Sequence, residues 1–197
     1  MEHERIVFDG NGYSDEWVAE AAKRGLPNLK TMVDAIPALT TEKAVNLFEK
    51  FGVFTRAELE SRAEIQYETY AKVINIEAKS MIDIASKQLI PAVIKYTKEL
   101  ADTVIAVKAC GVDASVQEEI LRKTTVLLGE ARTALSKLTE LDAQGAKLER
   151  GEKQAKFFNK EVVPAMDALR KPIDKLEMIV EKDMWPMPSY GDLIFEV

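Results

Sequence analysis

Residues 55–111 read TRAELESRAEIQYETYAKVINIEAKSMIDIASKQLIPAVIKYTKELADTVIAVKACG. The run opens on Thr55 with Glu58 three places on, a capping box in which each side chain satisfies a backbone N–H of the other residue. It closes on Gly111, the residue type that best tolerates the left-handed backbone just past a helix end. Between them an apolar stripe passes through Leu59, Ala63, Tyr67, Tyr70, Ile74, Ala78, Met81, Ala85, Leu89, Ala92, Tyr96, Leu100, Val104 and Val107. It covers 48 residues in 13 steps, about 3.7 per step, nearer the ~3.67 of an eleven-residue repeat than the ~3.5 of a heptad. That spacing predicts a nearly straight rod of about 75 Å, from roughly 50 residues rising ~1.5 Å each. Ile76, Ile82, Ile84, Ile90 and Val93 fall off the stripe, so the middle of the rod is expected to be covered on more than one side.

A second long helix follows, with Asp113 or Ser115 as its cap and Glu118 three beyond the serine. Its apolar positions, Ile120, Thr124, Leu127, Ala131, Ala134, Leu138, Leu141, Gly145 and Leu148, alternate steps of four and three, a heptad pattern. A turn at Arg150-Gly151 leads to a third helix carrying Phe158, Val162, Met166, Leu169, Ile173, Leu176 and Val180 to about Asp183. Long helices joined by short turns must run antiparallel. Leu89-Ile90-Pro91-Ala92-Val93 and Val162-Val163-Pro164-Ala165-Met166 set prolines in similar apolar surroundings. Each proline removes a backbone donor and is expected to kink its helix or mark a join; Pro172 is a third candidate.

Upstream, Ile6 to Phe8 has the composition of a short strand, and Asp9-Gly10-Asn11-Gly12 is turn chemistry that tolerates positive φ. Ser14 caps a short helix stopped by Gly25 and Pro27, and Thr40 or Thr41 starts another that Gly52 closes after Phe51. Downstream, Trp185 to Val197 cannot begin as a helix and is too apolar to float, so Trp185, Tyr190, Leu193 and Phe195 are expected to pack on the bundle or on a neighbouring subunit. The expected fold is all-α: an antiparallel bundle of three long helices (residues 55–184), short N-terminal helices (1–54) and a docked irregular C-terminal tail (185–197).

Composition narrows the function. Lys and Arg number 27 against 33 Asp and Glu, a formal charge of −6 with a pI near 5.1. That balance disfavours nucleic acid. No apolar run approaches the ~18 residues of a membrane span, and residues 1–9 do not resemble an export signal. A single cysteine, Cys110, cannot form an internal disulfide, which fits a reducing, cytoplasmic setting. His3 is the only histidine, leaving almost no material for nucleophile–histidine catalysis or His-rich zinc sites. Beside Gly111 at a helix end, Cys110 is expected to be a small buried filler, because a helix C-terminus disfavours a thiolate. A di-iron bundle would use Glu-x-x-His pairs, and none occurs. Glu118 with Arg122 and Glu149 with Lys153 have i,i+4 spacing and read as solvated helix faces. Gly10-Asn11-Gly12 lacks the rest of any phosphate-loop motif. Tyr67, Tyr70 and Tyr96 lie on the stripe and read as core or core-edge residues whose hydroxyls need partners. The terminal Phe195-Glu196-Val197 is only superficially like a carboxylate-capture ligand.

Three stretches carry a resemblance: Arg5-Ile6-Val7-Phe8-Asp9-Gly10-Asn11-Gly12-Tyr13-Ser14-Asp15-Glu16-Trp17 with Glu20 to Leu29; Ile74-Asn75-Ile76-Glu77-Ala78 through Leu89-Ile90-Pro91-Ala92-Val93-Ile94-Lys95-Tyr96; and Val163 to Arg170 with the Trp185 to Val197 tail. They resemble the region after the catalytic barrel in type III glutamine synthetases, in the same order along the chain. The helix from Asp113 to Arg150 matches only as generic helix. The resemblance implies a non-catalytic C-terminal region of an ATP-dependent glutamate–ammonia ligase that supports subunit assembly. Its implied partners are an upstream catalytic domain, joined through residues 1–54, and neighbouring subunits of a homo-oligomer. ATP and Mg are implied for the parent enzyme, with no catalytic, cofactor-binding or metal-holding residue in this chain. The alternative is a free-standing helical scaffold or adaptor that binds a partner protein.

Overall fold

A computed structural model describes residues 4–188 and 190–195. His3 and the last two residues lie outside the described set. Every regular element among the described residues is helical, with no strand among them, and the chain divides into two compact units between Gln66 and Tyr67.

In the N-terminal unit, helix α1 (Asp15–Lys23) is capped by Ser14, whose Oγ accepts from the Trp17 N–H, and ends at Gly25 with φ +69°. Phe8 stacks on Trp17 with ring centroids 4.4 Å apart. The Arg24 guanidinium lies 5.6 Å from the same indole and donates to the Val7 carbonyl at 2.6 Å. These contacts hold residues 4–8 against α1. Ile6 therefore ends a short 3-10 turn (Glu4–Ile6) and does not enter a strand. The turn after it keeps Gly10 and Gly12 out of the positive-φ region; Gly10 is needed because a Cβ there would stand 2.8 Å from the Phe8 ring.

Helix α2 (Met32–Ala35) and a 3-10 turn (Ile36–Thr40) precede α3 (Glu42–Lys50), which Thr41 caps and Gly52 terminates at φ +63°. Helix α4 (Arg56–Ile84) then begins on the expected capping box: Thr55 N–H donates to Glu58 Oε2 at 2.8 Å, and Glu58 N–H to Thr55 Oγ1 at 3.4 Å.

The second unit starts within α4. The helical run continues through a π-helical turn (Ala85–Leu89) into α5 (Ile90–Ala109), which stops at Gly111, φ +72°. Helix α6 (Ser115–Gly145) returns, with the Asp113 carboxylate accepting from the Ser115 N–H and hydroxyl. After Gly151 come α7 (Glu152–Phe157), a second π-helical turn (Phe158–Val162) and α8 (Val163–Glu177). Contacts between arms give the topology. Asn75 meets Asp142 and Lys108 meets Glu118, so the first arm and α6 are antiparallel. Gly145 meets Phe158 while Gly129 and Thr133 border Ala165, so α6 and the third arm are antiparallel too. Tyr70 meets Asn159, and Met81 lies near Leu169, so arms one and three run parallel. This is the expected bundle of three long helices.

Both prolines behave alike, and neither breaks its helix. Each sits at the second residue after a π turn, where Ile90 N–H bonds to Ala85 O and Val163 N–H to Phe158 O. A wide turn opens the helix just where the pyrrolidine ring would strike the carbonyl four residues back. The first π turn also explains the stripe spacing. Thirteen steps at ~3.6 make about 47 residues, and the turn adds one, so the stripe is an ordinary helix with one inserted residue and not an eleven-residue repeat. Pro172 lies within α8 without ending it, but α8 stops at Glu177, short of Asp183. On the rod's middle, Ile90 and Val93 are buried, Ile82 and Ile84 half-buried, and Ile76 is exposed.

The tail docks in part. Val180 and Trp185 are buried. Met184 and Pro186 border Pro91 and Ala92, and Met187 borders Leu89 and Ile173. Tyr190–Phe195 forms a short helix, α9, tied by Lys182 Nζ to Asp192 Oδ1 at 2.7 Å. Leu193 and Phe195 are exposed, against the expectation that they pack on the bundle, and the Tyr190 side chain lies outside the described set.

Candidate functional site

The polar groups that the helices bury are few and lie in pairs. On α6, Asp142 takes an otherwise apolar heptad face and is buried. Its Oδ1 accepts from Asn75 Nδ2 at 2.8 Å. Burial pushes the Asp142 carboxyl above the usual range, opposed by the Lys79 charge and the Asn75 bond. One layer away, Asn159 Nδ2 donates to the Tyr70 hydroxyl at 2.8 Å, and Gln154 Nε2 to the Gly145 carbonyl at 3.0 Å. Burial raises the Tyr67 hydroxyl, with Glu152 adding to the effect, and raises Tyr96, with Glu181 adding there. Thr124, wholly buried, returns its hydroxyl to the Ile120 carbonyl. Each bond joins arms or closes on its own helix, so this chemistry fixes register. Nothing in the sequence pattern singled out Asn75 or Asn159; Asp142, a charge on the apolar side of α6, is the signal that was there to be read.

Of the tyrosines on the stripe, Tyr67 is buried in the core and Tyr70 and Tyr96 sit half-buried at its edge, as expected, and the Tyr70 hydroxyl has its partner. Cys110 overturns its expectation: it is exposed. It is the capping residue where α5 meets the Gly111 turn, and a residue in a connecting turn stands clear of the apolar faces that the helices pack together. Arg122, Glu149 and Lys153 are exposed and Glu118 is half-exposed, the solvated faces expected of them, although the i,i+4 partners do not pair. Glu118 turns to Lys108 across the α5–α6 connection and leaves Arg122, and no Glu149–Lys153 pair occurs among the described residues. The Trp185 indole N–H is buried with no acceptor among the described residues.

Carboxylates do not converge. Among the described residues no three Asp, Glu, His or Cys side chains stand close enough to hold a metal ion. No helix among the described residues is long and apolar enough to cross a membrane.

Fold and contacts define an all-α protein built around a three-armed helical bundle. Residues 1–108 match the family model described as the glutamine synthetase C-terminal domain, and the chain belongs to that family. Over essentially its whole length it is 35% identical to a glutamine synthetase of Butyrivibrio fibrisolvens and 34% identical to the type-3 glutamine synthetase of Dictyostelium discoideum. A glutamine synthetase of Bacteroides fragilis (strain YCH46) is 27% identical over 98% of the chain. The chain spans 27–28% of the length of these relatives.

Proposed function

We propose that this chain is a non-catalytic helical region of a cytoplasmic glutamine synthetase and that its work is to join subunits. ATP, Mg and the residues that activate glutamate belong to the remainder of the enzyme. The observation that carries the reading is the surface of the N-terminal unit. There Val33, Ile36, Val45, Leu59 and Ala63 are buried, while Tyr13, Phe51, Ile6, Val7, Ile65 and Val53 are all more than half exposed. A unit that exposes more large apolar side chains than it buries has the character of one half of an interface. The other half is supplied by the upstream catalytic domain and by neighbouring subunits of the homo-oligomer, and the share facing neighbouring subunits is what would hold the assembly together. The net charge of −6 leaves nucleic acid an unfavourable partner. The test is to prepare the complete enzyme with and without this region and to follow mass in solution together with glutamine formation. Loss of the large assembly before loss of turnover supports the proposal. Intact assembly with abolished turnover refutes it and points to a direct effect on the active site.

A further inference from the structure

Helix α6 carries a second glycine besides Gly145, and packing within the chain accounts for only one of the two. At Gly145 a Cβ would stand 3.0 Å from the Phe158 ring. At Gly129 it would meet nothing within 4 Å, and φ is not positive. A glycine in the middle of a helix weakens it relative to alanine, so at Gly129 the missing side chain serves nothing inside the chain.

The surroundings of Gly129 are open on both sides. One groove of about 530 Å³ includes Ile90, Ile94 and Leu128; another of about 430 Å³ includes Ala134, Ala165 and Ala168. The third groove of the bundle, between arms one and three, is covered by the chain's own Met184, Pro186 and Met187. Charges complete the pattern. Arg122 and Glu140 are 18 residues apart, which at ~3.6 per turn is five turns, so they lie on one line along the helix. At ~100° per residue, Gly129 and Thr133 fall within about 20° of that line. All four residues are exposed. Arg122 has no ion-pair partner among the described residues, and Glu140 accepts there only from the Gln144 side chain.

We infer that this face of α6 binds the same face of a second copy of the chain, the two helices antiparallel about a two-fold axis level with residue 131. A line with a cation at one end and an anion at the other, equidistant from its centre, is complementary to itself reversed. Arg122 then meets the partner's Glu140, and Glu140 meets the partner's Arg122, so one relation satisfies two pairs. Gly129 faces the partner's Thr133, where the absent side chain lets the backbones approach. The Thr133 hydroxyl already donates to the Gly129 carbonyl at 3.0 Å, so it brings no unsatisfied group to the contact. The inference rests on the assembly role proposed above and names a surface for it.

The test is sedimentation equilibrium on the full chain, with circular dichroism to verify folding. The unaltered chain forms a dimer. R122E and E140R each weaken it by about tenfold or more, since each places two like-charge contacts, one on either side of the axis, and the R122E/E140R double variant restores most of the loss. Gly129→Leu weakens the dimer with helix content unchanged. A chain that stays monomeric, or a double variant no better than the single ones, overturns the inference. Either result leaves the assembly role standing, because that is decided by removing the whole region from the complete enzyme.

Discussion

The two glycines of α6 offer one substitution in two environments. At Gly145 an alanine Cβ would lie 3.0 Å from Phe158 Cε2 and Cζ and 3.1 Å from Phe157 Cδ1. Those ring atoms cannot give way, since Phe158 is 1% exposed and its backbone is held in a π turn. Overpacking of this kind costs about 1–3 kcal/mol. The helix-propensity gain from Gly to Ala, up to ~1 kcal/mol in an interior, is smaller at the last residue of the helix. The net for Gly145→Ala is a loss of about 1–2 kcal/mol. At Gly129 the clash is absent, so the same change stabilises the chain by about 0.5–1 kcal/mol. The two variants should differ by roughly 1.5–3 kcal/mol, or about 3–12 °C in Tm for a chain of this size. Urea unfolding followed by circular dichroism in dilute solution measures both. A Gly145→Ala variant as stable as Gly129→Ala would refute the reading of Phe158 as a fixed wall.

Other expectations follow from buried groups. Burial raises the Asp142 carboxyl, so the folded chain holds that proton to higher pH than the unfolded chain, and the stability it contributes is fullest in acid and lost as pH rises through the folded-state value. Asp142→Asn keeps an acceptor for Asn75 and removes that slope; stability curves from about pH 4 to 7 should show the variant gaining on the unaltered chain toward neutrality, and the opposite trend counts against it. Phe158→Ala should cost about 3–5 kcal/mol by denaturant titration, and a loss under about 1 kcal/mol would contradict its place at the centre of the core. Deleting residues 185–197 removes the buried Trp185, worth roughly 2–3 kcal/mol, and an unchanged Tm would show that the tail does not dock.

Much of this architecture was legible in the residues because helix signals are local. The Thr55–Glu58 box, the Thr41 and Ser14 caps and the stop at Gly111 each depend on atoms within one turn, and each occurs where the pattern put it. What failed depends on distant neighbours. Cys110 was expected to be buried from the habits of its residue type, but its exposure is set by which elements reach the α5–α6 end. The partner of Glu118 was not legible either: its face is solvated as its spacing implied, but it pairs with Lys108 because the Gly111 turn brings α5 alongside. The short elements between Met32 and Thr40 have too few residues to show a period. At the candidate site, the Asn75–Asp142 and Tyr70–Asn159 bonds join residues 67 and 89 positions apart, a distance over which no periodicity reports.

The π turns have a consequence for how such a chain can change over generations. Each is a helix that has accepted one extra residue without moving the faces on either side, so a one-codon deletion there would restore a regular α-helix with every downstream contact in place. The prolines forbid that step alone, because Pro91 or Pro164 in a regular helix would clash at a cost of ~3 kcal/mol or more. Replacing the proline alone leaves an extra residue that the wide turn no longer serves. Insertion and proline are therefore an epistatic couple at both places, readily kept and hard to lose one mutation at a time, and lineages that shorten either arm should be found to have lost its proline as well.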